Sequence, residues 1–97
     1  MPKWSLDFTL EAKADLEKLD KNLRRRVSEK LDWLLENFDN IIPSPLGGKW
    51  RGFFKLRVGD WRVIYKVKWD KNRIIVYVID RRDKIYKRRK FKNYGKS

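Results

Sequence analysis

The sequence predicts an α+β fold: an N-terminal strand and an antiparallel helix hairpin packed on a small antiparallel β-sheet, closed by a short C-terminal basic helix. Three observations predict it. Apolar residues recur at spacings of three and four from Leu16 to Phe38, the period of a helix with one buried stripe. Apolar and basic residues alternate from Phe53 to Val67, the period of strands with two unlike faces. Turn residues punctuate these runs at Asp20-Lys21-Asn22, Gly59-Asp60 and Asp70-Lys71-Asn72. The chain has 97 residues, so a single domain spanning residues 1–97 is expected, with a modest core.

Trp4 to Phe8 reads as a strand with Trp4, Leu6 and Phe8 on one face. Thr9 is placed to cap a helix that Glu11 and Ala12 open and that runs to about Leu19. Leu16 and Leu19 are its expected core contacts, with Leu10, Ala12 and Ala14 as lesser fillers. After the turn at residues 20–22, Leu23, Val27, Leu31, Leu34 and Phe38 form the stripe of a longer helix, from about Leu23 to Phe38. The connection is short, which predicts an antiparallel hairpin. Residues 39–50 hold two prolines and two glycines and read as a loop with apolar anchors. Three strands follow as a meander: Gly52 to Val58, Trp61 to Trp69, and Arg73 to Ile79. The last is apolar on both faces and is expected in the centre of the sheet. Residues Arg82 to about Phe91 are read as the terminal helix or a basic extension.

Alternation sorts the strand residues. Phe54, Leu56, Val58, Trp61, Val63, Tyr65 and Val67 face the helices. Lys55, Arg57, Arg62, Lys66 and Lys68 point the other way, with Phe53 and Ile64 among them. One face of the meander is therefore expected to be basic and open to a ligand. Arg81 and Arg82 are delivered to its edge.

The charge is +13, and its distribution is the sharper observation. Residues 11–40 carry seven basic and eight acidic side chains; residues 41–97 carry eighteen and four. Such one-sidedness favours a polyanionic partner, most readily RNA. There is no cysteine and no histidine, which excludes disulfides, thiol nucleophiles, thiolate metal sites and imidazole acid–base chemistry. No metal or cofactor is expected. Chemistry falls to lysine, arginine, tyrosine and carboxylates. No apolar signal segment or membrane-length run is present, so a cytoplasmic protein without membrane association is expected.

The phrases LGGKWRGFFKLRVGDWRVIYKV (residues 46–67) and VYVIDRRDKIYKR (residues 76–88), in this order of elements, resemble the RelE/ParE toxin superfamily of toxin–antitoxin systems. The resemblance covers essentially the whole chain. It implies a toxin that cleaves mRNA in the ribosomal A site without a metal, or a toxin of the same fold that inhibits DNA gyrase, or a non-catalytic member that binds RNA or antitoxin. For the first activity it implies Lys55, Arg62, Arg82 and Tyr86 as catalytic residues, with Arg81 the alternative to Arg82. Lys49, Arg51, Arg57, Arg81, Arg88, Arg89 and Lys90 are the implied RNA-binding residues. Phe53 stands where some members carry a further lysine. In such chemistry the 2′-hydroxyl attacks the adjacent phosphorus. A base takes its proton, cations hold the phosphorane, and an acid protonates the 5′-oxygen. Lys55 is the expected base, since neighbouring cations favour an uncharged amine. Arg62 and Arg82 are the expected transition-state stabilisers. The resemblance also implies an acidic cognate antitoxin, RelB-like or of another family, and the ribosome with its mRNA as partners. Operator DNA is expected to be met only through the antitoxin.

Overall fold

The computed structural model describes residues 3–87. Strand β1 (Ser5–Phe8) leads into helices α1 (Leu10–Lys18) and α2 (Lys21–Asn37). Strands β2 (Ser44–Pro45), β3 (Phe54–Val58), β4 (Trp61–Lys68) and β5 (Arg73–Arg81) follow. Short 3-10 turns occupy Phe38–Asn40, Gly48–Trp50, Trp69–Lys71 and Ile85–Lys87. The strands form one sheet in the order β1-β5-β4-β3-β2. β3, β4 and β5 are the expected antiparallel meander, and β5 lies inside the sheet as its two apolar faces require. β1 adds itself parallel to β5, with Ser5 opposite Arg73 and Phe8 opposite Val76, so the sheet is mixed at that edge.

Both helices start where a side chain can satisfy their free amides. The Thr9 hydroxyl accepts the Ala12 N–H at 3.1 Å, and the Asp20 carboxylate accepts the Leu23 N–H at 2.9 Å. Asp20 is thus a cap, and Lys21 and Asn22 belong to the first turn of α2. The linker of the hairpin is shorter than the sequence suggested.

The helices bury their stripe against one face of the sheet. Val27, Leu31, Leu34 and Phe38 meet Leu56, Val58, Val63, Tyr65, Ile74 and Val76 in one cluster, with Trp4, Ala12 and Leu19. Leu16, Leu23, Leu6 and Phe8 pack on its margin. Leu10 and Ala14 do not contribute: both face solvent, Leu10 being 87 % exposed.

The opposite face differs from expectation. It carries a second, smaller core of Trp50, Phe53, Ile64, Tyr77, Val78 and Ile85, with Leu46, Ile75 and Tyr86 packed on it. The turns at Gly48–Trp50 and Ile85–Lys87 supply Trp50 and Ile85. The expected open basic face is therefore covered in its middle, and its cations are left on the margins. Burial of Phe53 and Ile64 is the reason, since two large apolar side chains on one strand face gain by finding a cover. The described part of the expected terminal helix is the single turn Ile85–Lys87; the remainder lies outside the described residues.

A bulge in β5 separates the two cores. Ile64 pairs with Val78 while Tyr65 pairs with Val76, which leaves Tyr77 as the extra residue. Tyr77 and Val78 therefore both join the outer core, and Ile79 returns to the inner one. Helix α1 and its cap hold this irregularity. The Thr9 hydroxyl donates to the Tyr77 carbonyl at 3.1 Å, and the Asp15 carboxylate accepts the Ile79 N–H at 3.0 Å.

Candidate nucleic-acid interface

The β3–β4 turn organises the basic end of the sheet. Gly59 has φ +60° and Asp60 does not share it, the pattern of a two-residue turn whose first position favours glycine. The turn sets Arg57 directly opposite Arg62, and β5 sets Asp80 on the other side of Arg62. One row further along, Lys55 faces Ile64. Arg82 follows β5, and its backbone N–H donates to the Asp60 carbonyl at 2.9 Å, which fixes it beside the same turn. Alternation, the turn and the ladder thus bring Lys55, Arg57, Arg62 and Arg82 to one end of the molecule.

Arg62 is 8 % exposed. Its Nη1 donates to the Gly59 carbonyl at 3.0 Å and the Trp61 carbonyl at 2.9 Å. The guanidinium ties down the turn, and both bonds use one nitrogen, so they do not consume the rest of the fork. Arg26 reaches the same turn from α2: its Nη2 lies 2.9 Å from where a Cβ on residue 59 would stand. A side chain there would displace it. The structure divides the basic triplet Arg24-Arg25-Arg26. Arg24 Nη2 donates to the Leu19 carbonyl at 3.3 Å, at the C-terminal end of α1. Only helical phase relative to the sheet separates the two roles, and local sequence does not carry it.

The other expected site residues are spread more widely. Arg81 stands opposite Trp61, on the face away from Arg62, and its Nε lies 3.5 Å from the Asp83 carboxylate in an exposed pair. Lys49 and Arg51 are exposed on the loop that closes over Phe53. Tyr86 is half-buried, with its ring edge-on to Trp50 at 6.2 Å. Arg88, Arg89 and Lys90 lie outside the described residues. Lys66, which the sequence placed on the basic face without a role, holds its ammonium 4.6 Å from the centre of the Phe53 ring. It covers the outer core from the side.

Guanidinium groups in facing positions repel each other across the strands. An anion between them reverses the sign of that interaction, and the paired donors of arginine match phosphate oxygens. The carboxylate of the row, Asp80, accepts the Arg81 N–H at 2.8 Å. Behind the site, burial raises the Tyr65 phenol from 10.0 to about 12, which keeps it an uncharged core residue. Among the described residues no three His, Cys, Asp or Glu side chains are grouped to hold a metal ion. No helix among them is long and apolar enough to cross a membrane.

Comparison with known proteins gives a consistent result. A family model described as the ParE toxin of the type II toxin–antitoxin system parDE matches residues 6–85. Toxin RelG of Mycobacterium tuberculosis is 27 % identical over 85 residues, covering 88 % of this chain and 98 % of that protein. The toxin–antitoxin complex RelBE2 of the same organism contains a chain that superimposes with TM-score 0.73 at 26 % identity, over 84 % of this chain and 100 % of that one. A chain of the archaeal RelE–RelB complex of Pyrococcus horikoshii superimposes with TM-score 0.64 at 25 % identity, over 81 % and 94 %. Sequence, topology and the basic end of the sheet agree: the chain belongs to the RelE/ParE superfamily of type II toxin–antitoxin toxins.

Proposed function

We propose that this toxin cleaves mRNA on the ribosome and is neutralised by an acidic cognate antitoxin. The observation that carries the reading is the cation row at the Gly59-Asp60 turn, where Arg57 faces Arg62 and Arg82 is held by the Asp60 carbonyl. In this reading Arg57 and Arg82 grip the scissile phosphate, and the uncommitted part of the Arg62 fork stabilises the phosphorane. Lys55, one row away, takes the 2′-hydroxyl proton. Tyr86 orients a base or contributes to proton transfer. The bond to the 5′-oxygen breaks with its protonation, leaving a 2′,3′-cyclic phosphate and a 5′-hydroxyl. The ribosome positions the message and supplies the orientation that a small open site lacks. The antitoxin reading is supported by the relatives solved as toxin–antitoxin complexes.

A second reading, inhibition of DNA gyrase, is favoured by the description of the matched family as ParE and by Arg62, whose Nη1 is committed to two turn carbonyls. Two assays separate the readings. The toxin is added to purified ribosomes translating a defined mRNA, and separately to gyrase with relaxed plasmid. Cleavage at discrete positions, reduced about 100-fold or more by Arg82→Ala, is the expected result. Intact mRNA with blocked supercoiling would establish the second reading instead. Intact mRNA with normal supercoiling would leave a non-catalytic binding protein.

A further inference from the structure

Lys66 belongs neither to the inner core nor to the cation row at the turn. It lies on β4 opposite Ile75, and by alternation it shares the outer face of the sheet with Arg62 and Ile64. The ladder sets Phe54 opposite Tyr65, so Phe53 and Lys66 are neighbours across the strands just beyond that pair. The half-buried lysine holds its ammonium 4.6 Å from the centre of the Phe53 ring and 5.8 Å from that of Tyr77. Two aromatic rings therefore fix the charge at the margin of the outer core while its stem lies on apolar surface. The ion pairs among the described residues join Lys3 to Asp39, Arg73 to Asp7 and Arg81 to Asp83, and Lys66 is in none of them. A cation held by rings, and not neutralised by a carboxylate, keeps its attraction for an anion.

Its position limits which anion. Lys66 stands four residues beyond Arg62 on one extended strand, about 13 Å away. A single phosphate cannot touch both. Across the strands, the row from Arg57 through Arg62 ends in Asp80, whose carboxylate repels a phosphate. Along β4 the next charge on the outer face is Lys66 instead. Between Arg62 and Lys66 lies the cover of the outer core, where Tyr86 is half-buried against Trp50 and Lys49 and Arg51 are exposed on the adjoining loop. Cations at both ends of an aromatic surface suit a single strand with its backbone on the charges and its bases on the rings.

We propose that Lys66 is a second phosphate contact for single-stranded RNA, which runs along β4 from the Gly59-Asp60 turn over Tyr86 to Lys66 and not across the sheet. The proposal rests on the reading of the chain as an RNA-cleaving toxin. Lys66 is too far from the scissile phosphate to react with it; it binds and orients the strand. The site thereby acquires a minimum length, because an RNA that ends short of Lys66 is held by the turn alone.

The test compares a uridine trinucleotide with a uridine octanucleotide on the full chain. Binding is followed by amide chemical shifts, which report weak complexes as well as tight ones. The variants are Lys66→Met, which keeps the stem on the rings and removes the charge, and Lys66→Arg, which keeps the charge. Loss of one phosphate contact should lower the octanucleotide affinity of Lys66→Met about 5-fold at about 0.1 M salt and make its salt slope shallower by about 0.7. Trinucleotide affinity should stay as in the unaltered chain, which also shows that the variant is folded. Lys66→Arg should retain the octanucleotide affinity. An unchanged octanucleotide affinity in Lys66→Met would overturn the proposal. So would an equal loss for both RNAs, which marks a structural role, or a loss in Lys66→Arg as large as in Lys66→Met. If the unaltered chain binds neither RNA, the RNA reading itself is wrong and Lys66 falls with it.

Discussion

Arg62 has two roles whose separate effects can be measured. Its guanidinium closes the β3–β4 turn through the Gly59 and Trp61 carbonyls, so removing it disturbs the site before any RNA is bound. Arg62→Ala should lower unfolding stability by about 1.5–3 kcal/mol in urea titration, the range for hydrogen bonds involving a charged group. Lost toxicity in that variant is therefore ambiguous, and Arg82→Ala is the cleaner probe of chemistry because only its backbone is known to serve the fold. Tyr65 gives a pH-dependent counterpart. Its phenol is held at about 12 by burial, against 10.0 in the unfolded chain. The folded protein keeps a proton that the unfolded chain releases, so the stability tied to it is whole below pH 10 and lost progressively as pH rises from 10 to about 12. In an ultraviolet titration, one of the four tyrosines should ionise last, and Tyr65→Phe should remove that late phase. Phe53 shows what a single residue can change. The resemblance implied a lysine position here; instead the ring is 5 % exposed, edge-on to Tyr77 at 5.2 Å and Trp50 at 6.1 Å.

Helix α1 does more than fill space. Its Asp15 accepts the Ile79 N–H just past the β5 bulge, 64 residues away in sequence. Asp15→Ala leaves that amide without this partner and should cost about 1–3 kcal/mol. Asp15→Asn, which keeps an acceptor oxygen, should recover part of the loss; thermal melting of both variants checks the difference. The inner core was legible at this scale, because periods of 3.6 and 2 are written directly in the order of residues. The stripe from Leu23 to Phe38 and the row from Trp61 to Val67 pack as their spacing required. Three features were not legible. The bulge arises from pairing with β4, β2 is only two residues long, and the parallel docking of β1 leaves no local mark. The outer core belongs with them, since Ile85 reaches Ile64 and Val78 only after the chain turns back.

At the scale of the molecule, charge and topology act together. Net charge +13 with its excess in residues 41–97 predicts a strong ionic component for the proposed RNA binding. If the four cations at the turn each neutralise one phosphate, the logarithm of affinity for single-stranded RNA should fall against the logarithm of salt with slope about −3. Fluorescence anisotropy across a salt series measures it. A slope near zero would mean that the basic end of the sheet does not contact the backbone. The candidate site was partly legible. Strand parity set Lys55, Arg57 and Arg62 together, and family phrasing added Arg82. Arg26 was hidden, because its place depends on how α2 rolls against the sheet edge.

The parallel pairing of β1 with β5 also sets an order of events. Among the described residues β1 has no other neighbour in the sheet, so this strand has no described partner until residues 73–76 have emerged. Closing that contact across nearly seventy residues is the costliest loop in the fold. β5 is also the strand that leads to Arg82. A nascent chain therefore cannot assemble the cation row early. The cation row becomes complete only after residue 82 has left the machine the toxin is proposed to attack.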